Sequence, residues 1–347
     1  MRLPPPPPPA PVLGLYAMRD AGAYYRVVVP LRAIGGAWAC YDEVTAAHLD
    51  AAETVILYRL GGHVADVAAT VADLRQRWGV RTVLVDYDDA MFSPHPIIEV
   101  RVPPLGLAGV RAGLAAADGV IVQNAALVRH FRAQTDRPVA IVPNLIAAED
   151  WPAPTPPAWP PTVVLAGSPS HRLDWDEAIP ALTWLRAQVP AVRVRRLGCP
   201  HPALKLLATE GGDWQTDLGT YAASLAGGAI GLCPLPDAPF NRGKSPVKAY
   251  EYSLAAGMAV IGSPTQYGDV LADGRGIVVA DGDALGWARA LDAYLSDGAR
   301  RAADAARLRA WVLAERDVRR HVSALRDTYL THTEGSTWRL SRVRMAS

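Results

Sequence analysis

Pro239-Phe240-Asn241-Arg242-Gly243-Lys244-Ser245-Pro246-Val247-Lys248-Ala249-Tyr250-Glu251-Tyr252, closed by Leu254-Ala255-Ala256-Gly257, is the stretch from which the rest of the chain can be read. It predicts a helix over about 246–256: Ser245 suits the cap, Pro246 the first helical position and Gly257 the residue just past the end. Three residues after a Ser cap, a capping box carries Glu or Gln. This chain has Lys248 there, and Lys244 just before the cap. Two cations therefore stand where the helix already carries positive partial charge. An anion removes that cost, because free backbone N–H groups, the helix dipole and two ammonium groups together make a phosphate or diphosphate site. Glu251, one turn on from Lys248, is placed to accept hydrogen bonds from hydroxyls of whatever carries the phosphates. The plainer alternative is a solvated Lys/Glu helix start, but Ser-Pro fixes that start independently of the lysines.

Outward from this stretch, short apolar runs rich in Val and Ile alternate with helical patterns from Tyr24 onward, the signature of parallel sheets with crossover helices. The first half predicts strands at 25–30, 53–58, 81–86, 119–123 and 138–143, with Gly35-Gly36 in the loop after the first of them and a helical stretch behind it. Pro152, Pro154, Pro156, Pro157, Pro160 and Pro161 then exclude helix and strand and mark a boundary. The second half predicts strands at 162–166, 192–197, 229–235, 258–262 and 276–280, and a largely helical end over 299–331. The fold class expected is α/β, with two doubly wound Rossmann-like domains whose parallel sheets face a cleft. Its segments are a proline-rich disordered arm (1–20), a first domain (21–150), a linker (151–161), a second domain (162–312), a closing helix (313–335) and a basic tail (336–347).

At 347 residues, half of them hydrophobic, the chain has room for two cores. A net charge of +1 gives no global reason to expect nucleic acid, a membrane surface or a polyanion. Cys40, Cys199 and Cys233 fit neither a disulfide framework nor a C-x-x-C zinc site, and are expected as small core residues in a reducing cytosol. Met1-Arg2-Leu3 and six prolines lack the apolar helix of a signal peptide, and are expected as a disordered or polyproline II arm. The most apolar window, 221–235, is too short to span a bilayer and is broken by Gly227-Gly228. A cytoplasmic location is expected, with the inner membrane face as the place of any peripheral contact. The cluster Arg319, Arg320, Arg326, Arg339, Arg342 and Arg344, with Trp338 among them, is the candidate for touching anionic lipid or nucleic acid; more often such runs are solvated. No stable partner protein is expected.

Ligands of such sheets bind beyond the carboxyl ends of the strands. The positions singled out are therefore Gly35 and Gly36, 86–89, the loop Gly167-Ser168-Pro169-Ser170-His171, Leu197-Gly198, and 241–251.

These residues carry a resemblance. Leu235, Phe240-Asn241, Lys244-Ser245-Pro246-Val247-Lys248, Glu251-Tyr252, Ala256-Gly257 and Ser263-Pro264 resemble the donor-binding segment of GT-B glycosyltransferases related to family 4. Gly167-Ser168-Pro169-Ser170-His171 with Asp174, and Asp86-Tyr87-Asp88-Asp89 with Phe92, resemble two further segments of that group, and with 117–124 and 142–144 the match covers most of the chain after about residue 24. The resemblance implies an acceptor-binding first domain, a nucleotide-sugar-binding second domain, a closing helix that crosses back, and metal-independent transfer with retention. The family pattern E-x7-E matches at Glu251, but its first glutamate falls on Gly243. Lys244 and Lys248 are expected to take over diphosphate binding from the Arg/Lys pair that relatives carry after the first strand of this domain.

The reading that follows is transfer of a sugar from a nucleotide-diphosphate donor, a UDP- or GDP-sugar, to an acceptor hydroxyl. The acceptor is a glycan, a lipid-linked glycan, a small molecule or a modified DNA base, and no cofactor is required. Asp88 and Asp89 are expected to orient or deprotonate that hydroxyl, or else to cap a helix beginning at Ala90. Carboxylates spaced D-x-D also suit a divalent metal, a reading set aside because lysines already fill the cation role. His171 is expected to donate to the diphosphate or a sugar hydroxyl, with His95 as a weaker acceptor-side candidate. Gly35, Gly36, Gly167, Ser168, Gly198, Asn241, Lys244, Ser245, Lys248 and Glu251 complete the expected donor site, with Gly198 beside the nucleobase. Two alternatives stay open: a nucleotide-sugar epimerase or hydrolase on the same scaffold, and a sugar-nucleotide-binding subunit without activity.

Overall fold

The computed structural model describes residues 3–59, 67–94, 104–157, 159–198, 201–215 and 217–330. Ala147–Asp317 forms one compact unit; residues 3–94, 104–146 and 318–330, as far as described, form the other.

The first unit is built on β1 (Val12–Tyr16), β2 (Ala37–Cys40), β3 (Thr54–Tyr58), β4 (Thr82–Asp86), β5 (Gly119–Val122) and β6 (Val139–Ile141). They pair in the order β2-β1-β3-β4-β5-β6, every neighbour parallel. Both faces of such a sheet are covered, which is why β3 and β4 are continuous buried runs with no polar alternation.

The start of this unit departs from expectation. The run expected as a strand at 25–30 is helical: Ala21–Ala23, a π turn at Tyr24–Val28, and Val29–Ile34. Every residue of that run is buried, and a short β-branched run buried on all sides cannot be told from a buried strand by periodicity. Pro30 has no N–H, and its ring would press on the carbonyl of Arg26 in a regular helix. The widened turn, in which the Val29 N–H donates to Tyr24 O, opens the backbone just before it. The true first strand, β1, lies inside the segment expected to be disordered. A Cβ at Gly14 would collide with Val27 and Leu31, so glycine lets the helix lie directly on the strand. The segment behind Gly35-Gly36, expected to be helical, is β2.

The second unit carries β7 (Thr162–Gly167), β8 (Arg193–Gly198), β9 (Glu210–Gly212), β10 (Ile230–Cys233), β11 (Ala259–Gly262) and β12 (Ile277–Val278), all parallel, in the order β12-β11-β10-β7-β8-β9. Val163, Leu165, Leu182, Ile230, Ile261, Trp287 and Leu291 belong to its core. The helical end divides into Gly298–Glu315, a short turn Val318–Arg320 and Val322–Leu330. The chain joins the first unit at Val318, whose N–H donates to Ile146 O at 2.8 Å. No described helix is long and apolar enough to cross a membrane.

The helix Val247–Ala256 ends as its sequence requires. Gly257 is left-handed (φ 61°), its N–H donates to Ser253 O, and the Met258 N–H donates to Tyr252 O. Its beginning differs from expectation. The cap position falls on Pro246 rather than Ser245, and no side chain caps the first turn. Tyr252 seats the helix on the sheet: its ring fills the space that a Cβ at Gly231 would need, and its hydroxyl accepts from Ala166 N at 2.8 Å.

Candidate functional site

In the second unit the loops at the carboxyl ends of β7 and β10 are tied together. The Asn241 side-chain amide donates to Asp174 Oδ1 (3.1 Å) and to Pro236 O (3.0 Å). The other Asp174 oxygen pairs with His171 Nδ1 at 2.8 Å, and that carboxylate is only 4% exposed. The pairing orients the imidazole and makes Nδ1 its donor, so Nε2 is the acceptor of the neutral ring. Ser168 and Ser170 share a hydrogen bond of 2.8 Å in the same loop. Ser263 accepts from Leu235 N at 2.9 Å and donates to Glu177 at 3.1 Å, which binds the end of β11 into this network.

Beside it, Gly167 and Gly198 are register partners at the ends of β7 and β8. Gly198 is left-handed (φ 69°), and a Cβ there would collide with Gly167 O and with the Trp214 ring. Gly198→Ala is therefore expected to cost about 2–3 kcal/mol, read as a lower urea midpoint. Trp214 lies 5.8 Å from Tyr221, centroid to centroid. Lys248 Nζ stands 5.1 Å from the first ring and 5.0 Å from the second. It donates to Glu251 Oε2 at 2.6 Å and to the Tyr221 hydroxyl at 2.9 Å, and that hydroxyl donates to the same carboxylate oxygen at 2.8 Å. Glu251 is 3% exposed, so its charge is held by Lys248 rather than by water. Lys244 Nζ lies 4.7 Å from the Phe240 ring.

In the first unit, Asp86 ends β4 in a fully buried pair with Arg26, whose Nε and Nη2 reach its two oxygens at 3.1 and 3.0 Å. Arg26 Nη1 also donates to Val142 O, and to Asn144 Oδ1 at 3.1 Å. Burial pushes the Asp86 carboxyl up, to about 7, while Arg26 pulls it down. Next in the loop, Asp88 accepts from the Tyr58 hydroxyl at 3.0 Å and from Arg59 Nε, and Asp89 accepts from Arg59 Nη2 at 2.5 Å. Arg59 occupies the left-handed region (φ 53°) at the end of β3, so a non-glycine residue carries backbone strain to place its guanidinium on these carboxylates. Gln123 Nε2 donates to Asp88 O at 2.6 Å from the end of β5.

Among solved structures, sucrose-phosphate synthase from Thermosynechococcus elongatus aligns with a TM-score of 0.65 and 16% identity, over 92% of this chain and 98% of that one. HepE of Anabaena, in complex with UDP and glucose, aligns at 0.63 and 12% identity over 92% and 99%. A trehalose-6-phosphate protein of E. coli, bound with UDP-2-fluoro glucose, aligns at 0.58 and 13% over 91% and 98%. The chain has the GT-B glycosyltransferase fold. No protein-family model matches the sequence, and no curated protein matches it.

On this GT-B frame, Gly167, Ser168, His171, Gly198, Asn241, Lys244, Ser245, Lys248 and Glu251 gather at the carboxyl end of the second sheet. Gly35 and Gly36 do not belong to any such end. They precede β2, which places them at the amino-terminal end of the first sheet, where Gly35 (φ 75°) closes a helix. The loop that does follow β1 is 17–20, ending in Asp20, which caps the next helix through Ala23 N at 2.8 Å. Lys248, expected as a phosphate cation, is also a partner of Glu251 and Tyr221. No helix starts at Ala90: Met91 N–H donates to Asp89 O and Ser93 N–H to Ala90 O, a pair of turns, so Asp88 and Asp89 are not caps. Among the described residues, no group of three or more His, Cys, Asp or Glu is placed to hold a metal ion. His95, Trp338, Arg339, Arg342 and Arg344 lie outside the described residues.

Sequence reading missed Arg26, Tyr58, Arg59, Trp214 and Tyr221. For Arg26 a signal existed, since a lone arginine inside Tyr24-Tyr25-Arg26-Val27-Val28-Val29 must find a buried acceptor.

Proposed function

We propose that this chain is a glycosyltransferase that moves a sugar from a nucleotide-diphosphate sugar to an acceptor hydroxyl, with retention and without a required metal. The observation that carries the reading is the start of the helix Val247–Ala256. Its first turn has no side-chain cap, it follows the strand β10, and Lys244 and the Lys248–Glu251–Tyr221 cluster stand beside it. Backbone N–H groups at such a start donate to a diphosphate, and Lys244 supplies charge for the leaving group in place of a metal. Glu251, oriented by Lys248 and Tyr221, accepts from hydroxyls of the ribose or sugar. Gly198 leaves room for the nucleoside, and the Trp214 ring offers a face for the base. His171, held by Asp174, serves the diphosphate or a sugar hydroxyl. Asp88 and Asp89, held in place by Arg59, orient the acceptor hydroxyl. The UDP present with HepE supports a UDP-sugar over a GDP-sugar.

A thermal-shift screen of UDP- and GDP-sugars tests this reading. At about 100 times its dissociation constant the donor is expected to add about 2.7 kcal/mol, and Lys244→Ala is expected to remove most of that response, measured against the variant's own unliganded melting temperature. If no donor moves the wild type, or Lys244→Ala responds in full, the diphosphate assignment is wrong. Release of nucleoside diphosphate that needs an added acceptor distinguishes transfer from hydrolysis or epimerisation.

A further inference from the structure

Positions 4–9 are six consecutive prolines, and no charged residue occurs between Leu3 and Met18. Without N–H groups this run cannot extend the first sheet as a strand; its natural form is the polyproline II helix, with three residues per turn. Burial follows that period. Pro4 and Pro7 are half-buried and Ala10 is buried, while Pro5, Pro6, Pro8 and Pro9 are exposed. The anchors follow it too, since Trp38 Nε1 donates to Pro4 O at 3.4 Å and His48 Nε2 meets Pro7 O at 3.0 Å. His48 is itself fixed by its Nδ1, which pairs with Thr45 Oγ1 at 2.8 Å and leaves Nε2 as the donor of the neutral ring. Of the two forms expected for the arm, disordered or polyproline II, burial and anchors fit the second, docked on its own unit.

One face, 4/7/10, is spent on the protein's own unit. The other two carry the pairs Pro5-Pro6 and Pro8-Pro9, one turn and about 9 Å apart. Two ring pairs at that spacing are what a PxxP-reading groove takes, each pair lodging between aromatic side chains, and a backbone already set in this conformation loses little entropy on binding. We propose that the arm is a preset polyproline II ligand for a partner domain with an aromatic-lined groove, held by its third face so that the two readable faces stay outward.

The test uses the intact protein and, as probe, 15N-labelled recombinant profilin, a reader of plain polyproline, followed by chemical-shift titration beside a free peptide of residues 1–12. The intact protein is expected to bind at least as tightly as the peptide. Replacing Pro5, Pro6, Pro8 and Pro9 together by alanine is expected to weaken binding about tenfold or more, with the melting temperature unchanged. Binding by the intact protein more than about tenfold weaker than by the peptide means the faces are not presented, and equal binding by the quadruple variant means they are not the ones read; either overturns the proposal. The first comparison needs no substitution and stands whether or not the variant folds.

Discussion

Arg26→Ala is expected to destabilise the first unit by about 3–5 kcal/mol near pH 8, because it leaves the Asp86 carboxylate buried with no counter-charge. Asp86 and Arg26 are both fully buried, so in the folded protein solvent does not reach the pair. The pH dependence has a definite sign. The folded-state pKa of Asp86 is already raised by burial, and removing Arg26 raises it further. A carboxyl that holds its proton more tightly when folded contributes stability below its unfolded value of about 4 and loses it as pH rises through the folded value. The defect of Arg26→Ala should therefore be smaller at about pH 5.5 than at about pH 8, and Arg26→Ala combined with Asp86→Asn should recover part of the loss at the higher pH. Urea unfolding at the two pH values measures both effects. Equal losses at both would mean that Asp86 is solvated in the variant.

Glu251→Ala is expected to act on two levels. It strands the Lys248 ammonium between the Trp214 ring and the Tyr221 phenol without its carboxylate, at a cost of about 3 kcal/mol, and it abolishes the response to the sugar nucleotide. Glu251→Gln with Lys248→Met separates the two. Removing both charges while keeping side-chain volume should restore most of the stability, yet leave no carboxylate to accept from donor hydroxyls. Melting temperatures with and without a saturating UDP-sugar distinguish the levels. A double variant that is stable and still answers the donor in full would reduce Glu251 to a counter-ion for Lys248.

Most of the strand pattern was legible. β3, β4, β5, β6, β7, β8, β10, β11 and β12 fall within a residue or two of their expected positions at each end, because parallel strands covered on both faces are short Val/Ile/Leu runs bounded by Gly, Pro or polar residues. β9 was not, since Glu210-Gly211-Gly212 has no apolar signal and is held in place as an edge by β8. The opening of the chain was misread for two reasons that reinforce each other. Gly14 interrupts β1 because a helix rests on it, and the residues of that helix, Tyr25 to Val29, have a strand's composition because it is buried all round. That single displacement carried Gly35 and Gly36 to the wrong end of the sheet.

The site was legible as a set of loops but not as a set of pairs. Lys248 and Glu251 were seen as neighbours on one helix, which spacing alone provides. That their charges compensate each other follows only once Trp214 and Tyr221, more than 25 residues away, enclose them. Asp88 and Asp89 were seen as free carboxylates because their partner, Arg59, comes from a different strand end and reaches them through a left-handed backbone that no local signal announces.

The return of the chain at Val318 sets an order of assembly. Ala147–Asp317 is one continuous segment and can close as soon as it has been synthesised. The first unit cannot, although its last strand ends at Ile141, because the helix Val322–Leu330 packs beside Val29–Ile34 and brings the buried Tyr329 phenol within electrostatic reach of both Arg26 and Asp86. At ordinary rates of translation about 10–40 s pass between synthesis of Ile141 and synthesis of Leu330. During that interval the amino-terminal sheet is complete in strands but lacks its last cover, so the half of the molecule made first is the half that finishes last.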